Sequence, residues 1–216
     1  IVEERPNDQI ELSAGWGVSS VVGTLGLTLN NFSTRKMFDP KSWAPVPSGD
    51  GQRLSLRAQT NGTFYQSYSA SFTEPWLGGK KPNAFTFAAF RSRIQDISNS
   101  TVFGKQITNG LSVSIGTRLK KPDDFFNLIY TLNFQQYKLK NYLVSGFGGL
   151  KDGTSTNISL KVTLLRNSAG PNPIFPTSGS NFMLSGQFTL PYSLMGIKDG
   201  AANQYKLPEF HKWRLN

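Results

Sequence analysis

Larger apolar residues recur at every second position through most of the chain, the period of a β-strand with one apolar face and one polar face. Near the start, Ile10, Leu12, Ala14 and Trp16 share one side, and Glu11, Ser13, Gly15 and Gly17 share the other. Val21, Leu25, Leu27 and Leu29 then alternate with Val22, Thr24, Gly26 and Thr28, and Leu54, Leu56 and Ala58 with Arg53, Ser55, Arg57 and Gln59. Phe64, Tyr68, Ala70 and Phe72 oppose Tyr65, Ser67, Ser69, Ser71 and Thr73. A fifth segment begins at Phe85 and Phe87 but is less regular, because Phe90 falls on the polar side and Arg91 on the apolar one. Leu111, Val113, Ile115 and Leu119 restore the pattern, followed by Leu128, Tyr130, Leu132 and Phe134, then Ile158, Leu160, Val162 and Leu164, and finally Phe182, Leu184, Phe188 and Leu190. Nine strands are predicted.

Their length and their polar faces narrow the fold class. Strands of soluble sandwiches run to about 5–6 residues, whereas most of these approach the ~9–11 that a tilted strand needs to cross a bilayer. The polar sides are rich in Ser, Thr, Asn, Gln and Gly with occasional Arg or Lys, as in a water-filled interior. An all-β, antiparallel transmembrane β-barrel with an outward apolar band explains this better than a soluble sandwich or a lipocalin-like barrel. Trp16, Trp76, Tyr68 and Phe72 lie near strand ends, where an aromatic girdle would sit. Bacterial single-chain barrels have even strand numbers, yet nine strands are followed only by the start of a tenth within residues 205–215. Open edges would leave backbone groups that hydrocarbon cannot satisfy, so the sheet is expected to be an incomplete portion of a larger barrel.

Composition removes other classes. No apolar run approaches the ~18 residues of a membrane-spanning helix, and 21 Gly and 12 Pro punctuate the chain at short intervals. Without Cys, disulfide scaffolds and cysteine-based zinc sites or catalysis do not arise. The net charge of +10 suits an anionic membrane surface, an acidic ligand or nucleic acid. Nucleic-acid binding is disfavoured because the aromatics occupy the apolar faces and the cations the polar ones, whereas stacking platforms need both together. The opening Ile1-Val2-Glu3-Glu4-Arg5-Pro6 is no signal segment, so the chain is either mature or a piece of something longer.

Local motifs then point to a family. The stretch Gly49-Asp50-Gly51-Gln52-Arg53-Leu54 through Gly62, followed by Tyr68-Ser69-Ala70-Ser71-Phe72-Thr73-Glu74-Pro75-Trp76, resembles the first hairpins of the BamA family of outer-membrane barrel assembly factors. The strand end Phe72-Thr73-Glu74-Pro75-Trp76 is the most specific mark. Residues 5–17 resemble that family's passage from its last POTRA domain into the first barrel strand. Phe175-Pro176-Thr177-Ser178-Gly179-Ser180 with Phe188-Thr189-Leu190-Pro191-Tyr192 resembles its ninth strand, and Glu209-Phe210-His211-Lys212-Trp213 the start of its tenth. Lys80-Lys81-Pro82 after Leu77-Gly78-Gly79 is similar to versions from Bacteroidetes-type bacteria.

The resemblance implies that residues 1–9 end a POTRA domain or linker and that 10–216 form the first nine or so strands of a sixteen-stranded barrel. The family's other POTRA domains and its inward-folded loop with a Val-Arg-Gly-Phe-type motif would belong to a longer parent, and the fragment alone is not expected to fold. The implied function is insertion of barrel proteins into the bacterial outer membrane through a lateral seam at residues 10–17. The implied partners are nascent outer-membrane β-barrel proteins, accessory BAM-type lipoproteins, other outer-membrane subunits and outer-membrane lipid or lipopolysaccharide. An edge strand can recruit another strand by β-augmentation, and Gly15 and Gly17 would weaken its packing; they equally permit close approach to a neighbouring strand. Family topology makes residues 31–51, 75–83, 120–124 and 167–179 periplasmic turns. Arg35, Lys36, Lys41, Lys80, Lys81, Lys120 and Lys121 in them could meet headgroups or a subunit, with solvated charge the simpler reading for any one of them. Arg53, Arg57, Arg118 and Lys161 are expected to point into the lumen.

A passive porin or transporter is the main alternative, and an outer-membrane barrel enzyme a further one. The latter lacks support. His211, the sole His, sits among bulky residues, which argues against a triad or a metal site. Asp123 and Asp124 are adjacent and wrongly disposed for paired acid–base work. Gly146-Phe147-Gly148-Gly149 fits no phosphate loop. The four Asn-x-Ser/Thr sequons at Asn31, Asn61, Asn99 and Asn157 are a chance expectation of the composition. No catalysis, cofactor or metal is expected.

Overall fold

The computed structural model describes residues 8–16, 21–43, 46–79, 81–98, 101–141, 152–170, 177–196 and 207–216. Ten strands follow one another: β1 (Gln9–Trp16), β2 (Val21–Phe32), β3 (Gln52–Asn61), β4 (Tyr65–Glu74), β5 (Ala84–Ser98), β6 (Thr101–Arg118), β7 (Phe126–Lys140), β8 (Gly153–Asn167), β9 (Asn181–Thr189) and β10 (His211–Leu215). They pair antiparallel strictly in chain order into one sheet, and β1 does not meet β10. The architecture is therefore an open, all-antiparallel, ten-stranded sheet rather than nine strands. The tenth strand covers Lys212 to Leu215 after His211; Gly17 and residues 205–206 lie outside the described residues. Phe64 sits in the turn before β4 rather than on the strand.

Several strands are longer than their apolar alternation. β5 runs 15 residues and β6 18, because each continues past its apolar stretch into polar positions where hydrophobic period no longer reports the ladder. The excess lies mostly at one end of the sheet. We call this the upper end; the lower end carries the connections 33–51, 75–83, 119–125 and 168–180.

Among the described residues each strand touches only its neighbours in sequence, so no second layer covers either face. Burial is nevertheless strongly one-sided, and inverted relative to a soluble protein. Ser159 is 2% exposed and Ser155 and Ser185 5% each, while on the opposite face Leu132 is 53% exposed and Leu111 48%. A single sheet buries one face only by curling towards it, so the polar face is the inside of the curve. Cross-strand hydroxyl pairs line it, including Thr28–Ser55 at 3.2 Å, Thr73–Thr86 at 3.1 Å and Ser114–Thr131 at 3.0 Å. A soluble sandwich would hide the leucines and wet the serines.

Directly paired residues share a face, so each rung of the ladder can be followed around the sheet. The rung Leu29, Leu54, Phe72, Phe87, Val113, Leu132, Leu160, Phe188 is apolar throughout. Two rungs higher, Leu12, Leu25, Ala58 and Tyr68 give way to Arg91, Asn109, Gln136 and Thr156. Between β1 and β8 the outward apolar stretch thus slides about three rungs towards the lower end. With ~3.3 Å per residue and ~4.8 Å between strands, that drift tilts the strands about 30° from the normal of a flat apolar slab, close to the ~35–45° of membrane barrels.

Candidate functional site

β1 is the strand that the sequence singles out. Its register on β2 sets Ile10 opposite Leu27, Leu12 opposite Leu25, Ala14 opposite Gly23 and Trp16 opposite Val21, leaving Glu11, Ser13 and Gly15 on the inner face. All eight residues are exposed, and its other edge has no ladder partner among the described residues. A Cβ added at Gly15 would meet nothing within 4 Å. Close packing against β2 therefore does not explain this glycine. Glu11 instead crosses a gap left by Gly26 and reaches Arg57 two strands away, at 3.4 Å. Both side chains are about half exposed, so the pair contributes at most about 1 kcal/mol. An Asn30 N–H donates to Asp8 Oδ1 at 3.0 Å just before the strand.

The strand end at residues 72–76 is a structural clasp. Phe72 lies on the outward apolar rung, and Thr73 bonds Thr86 on the inner face. Glu74 Oε2 accepts from Gln52 Nε2 at 2.7 Å while its Oε1 accepts from the Trp76 N–H at 3.1 Å, so one carboxylate joins β3, β4 and the turn opened by Pro75. Gln52 Oε1 in turn accepts from the Thr34 N–H at 2.8 Å. That contact anchors the long connection 33–51, where Ser33 is buried and its Oγ donates to Asp50 at 2.7 Å, next in the chain to the buried Phe32. Lys36 is tied internally, donating to the Ser48 carbonyl at 2.8 Å. Phe38, Trp43 and Met37 remain exposed on the same connection.

Arg53, Arg57 and Lys161 occupy inner-face rungs. Arg118 belongs to an inner-face rung as well, but it lies at the lower end of β6 and its Nε donates to the Asp124 carbonyl in the following turn. Sequence reading did not single out Lys212 and Arg214, which register places beside Gln187 and Ser185, next to Lys161. Parity along β9 and β10 was the signal available for them. Phe90, off-pattern in the sequence, lies on an inner rung opposite Gly110, its ring covering the space a Cβ there would fill.

Arg166 was also missed, although its spacing from Leu164 puts it on the outward face. It clamps the lower end: Nε and Nη2 donate to Asp123 Oδ2 at 3.2 and 2.9 Å, Nη1 to Ser168 Oγ at 2.6 Å and to Ser180 Oγ, and the guanidinium lies 5.6 and 5.9 Å from the Phe126 and Phe125 ring centres. Desolvation in this turn pushes the Asp123 carboxyl up. The Arg166 hydrogen bond, the Phe125 N–H and the guanidinium charge outweigh it and hold the carboxyl below its ordinary 3.8. A depressed folded value means that the clamp contributes fully above pH 3.8 and is lost as pH falls through the lower folded value. The stability gap between wild type and Asp123→Asn is therefore expected to be constant from pH 7 to about 5 and to close on further acidification; a gap that widens in acid would contradict the assignment.

No grouping of three or more His, Asp or Glu that could hold a metal occurs among the described residues. Residues 48–207 match the Omp85 superfamily domain. Among solved structures, the chain is similar to the crystal structure of BamA from Haemophilus ducreyi lacking POTRA domains 1–3, with a TM-score of 0.54 and 22% identity over 88% of this chain. This chain spans 35% of that one, and the likeness is one of fold. A search of curated proteins finds no match.

Proposed function

From the premise that the chain belongs to the Omp85 superfamily, we propose that it is the first part of the barrel of a BamA-type insertase, which assembles β-barrel proteins into the bacterial outer membrane. Omp85 barrels are non-catalytic scaffolds, so the work is templating rather than bond chemistry. In this reading residues 1–9 lead in from a POTRA domain and 10–216 begin a sixteen-stranded barrel of Bacteroidetes type, with the lower end in the periplasm. The partners are nascent barrel proteins, accessory BAM-type lipoproteins and other outer-membrane subunits.

The observation that carries the reading is the position and face of β1. It is the terminal strand of the sheet, without a ladder partner on its outer edge among the described residues, and it sets Ile10, Leu12 and Trp16 on the outward apolar face with Glu11, Ser13 and Gly15 on the inner one. Such an edge recruits a strand through main-chain hydrogen bonds, and a chain arriving from the periplasm would meet it at bilayer depth. Arg53, Arg57 and Lys161 keep the interior wet and cationic behind it.

Disulfide crosslinking in the full-length parent tests this, with Cys placed singly from Ile10 to Trp16 and in the terminal strand of a stalled client. Crosslinks are expected only between positions of one register, and shifting the client by one residue should move them to the other face. A client that never crosslinks to β1 while the parent barrel stays folded would favour the passive porin or transporter instead.

A further inference from the structure

We propose that the outward face of β5–β7 binds a phosphate-bearing lipid of the outer leaflet, its headgroup phosphates held by Arg91, Arg93, Lys105, Lys138 and Lys140 and an acyl chain lying in the trough beneath them. The leaflet rests on the orientation in the proposed function; the site itself rests on the rungs. Arg91 pairs with Tyr68 and Asn109, Arg93 with Gln66 and Ile107, Lys138 with Ile107 and Thr154, and Lys105 with Lys140. All five share the face of Phe87, Val113 and Leu132 and stand immediately above the apolar rungs. No Asp or Glu is a ladder partner of any of the five, and the carboxylate next in register beyond the last β7–β8 pair, Leu139–Gly153, is Asp152 beside Lys140. Neither ion pair found among the described residues involves them, and the nearby Asp152 is engaged by the Asn141 N–H at 2.7 Å.

Two features point to a lipid rather than to solvated charge. Lys105 and Lys140 are directly opposed across the ladder, a like-charge pair that is destabilising by itself and that a bound phosphate would relieve. Arg93 is pinned to this face by its 3.0 Å bond to Gln66. Directly below, Ala70 and Ala89 are cross-strand partners on the lipid-facing side. Their small side chains leave a trough of about 460 Å³, bordered by Tyr68, Arg91, Leu111 and Phe134. A cationic shelf above an apolar slot matches a molecule with phosphates at one end and hydrocarbon at the other, and clustered basic residues at the headgroup level are the general means of holding anionic lipids.

The test uses the full-length parent in detergent, with bisphosphorylated lipid A and the same lipid stripped of both phosphates as probes. Retention of the phosphorylated form should be at least about tenfold tighter, and the Lys105→Gln, Lys138→Gln, Lys140→Gln triple variant should lose that preference. Ala89→Leu, which fills the slot without altering charge, should weaken lipid A retention several-fold. It thereby keeps the test sound if the triple variant fails to fold. Equal binding of both lipids, or of lipid A by wild type and both variants, overturns the site. Displacement by millimolar inorganic phosphate would make it a free-anion site and overturn it too. A Cys at Thr154 should be labelled by an impermeant maleimide from outside intact cells; labelling only from the periplasm overturns the orientation, and with it the outer-leaflet assignment, whatever the binding result.

Discussion

Leu56→Lys is expected to destabilise the barrel in a bilayer by about 2–4 kcal/mol, whereas Gln59→Lys, three residues along the same strand, should change stability by less than about 0.5 kcal/mol. Leu56 is the middle of three outward apolar positions on β3, between Leu54 and Ala58, and its rung partners are Leu27 and Ala70. A lysine there must bring an ammonium to the depth of the hydrocarbon. Gln59 shares the inner rung of Thr24 and Ser67, where water remains. By exposure alone the ordering would be different: Leu56 is already 42% exposed, and in a water-soluble protein replacing it by Lys would be close to neutral. Equilibrium unfolding of the reconstituted parent distinguishes the two, and similar values for both variants would overturn the assignment of the apolar face to lipid.

Gly179→Ala should cost about 3 kcal/mol or more, because two penalties coincide. Gly179 has φ +96°, a region that side chains other than glycine's enter at a cost of about 1–2 kcal/mol. An added Cβ would also lie 1.9 Å from the Ser168 carbonyl oxygen and 2.5 Å from its carbon. Those are backbone atoms, and they cannot swing aside. Ser168 is fixed by its N–H to the Ser180 carbonyl at 2.9 Å and by the Arg166 guanidinium, so relief means opening the lower connection between β8 and β9. Gly79→Ala is the control, since Gly79 has φ +70° but open space around it. Limited proteolysis and unfolding of both variants check the difference; a Gly179→Ala protein no less stable than Gly79→Ala would show that the turn tolerates rearrangement.

This glycine also shows what the sequence made legible and what it did not. Residues 175–180 were recognisable by resemblance, yet the need for glycine at 179 comes from a carbonyl eleven residues earlier that no local pattern reveals. The middles of the strands were readable because the outward apolar band keeps strict alternation there. Where strands leave that band the alternation lapses, which is why the upper parts of β5–β8 escaped notice and why Arg91 looked like an irregularity. Its rung shows the reason: it stands where the apolar face ends. Phe90 is the complementary case, an aromatic placed on the wet side because Gly110 opposite leaves room for the ring. The clasp of Gln52 and Glu74 joins residues 22 apart, and the Arg166–Asp123 clamp residues 43 apart; such pairs are set by register across several strands rather than by spacing within one. At β1 the edge was predictable as a position, but the reach of Glu11 past Gly26 to Arg57 could be seen only in three dimensions.

Pairing strictly in chain order has a kinetic consequence. Every ladder from β1 to β10 joins sequence neighbours, so each new strand closes a loop no longer than the connection before it, at a modest entropic cost. Assembly can then proceed as a chain of hairpins, each nucleated on the edge left by the last. In the barrel proposed above, closing the sheet into a cylinder would be different in kind, because it would bring β1 against a strand distant in sequence. That contact would be the last to form, so a seam there would follow from topology before any special residue weakened it.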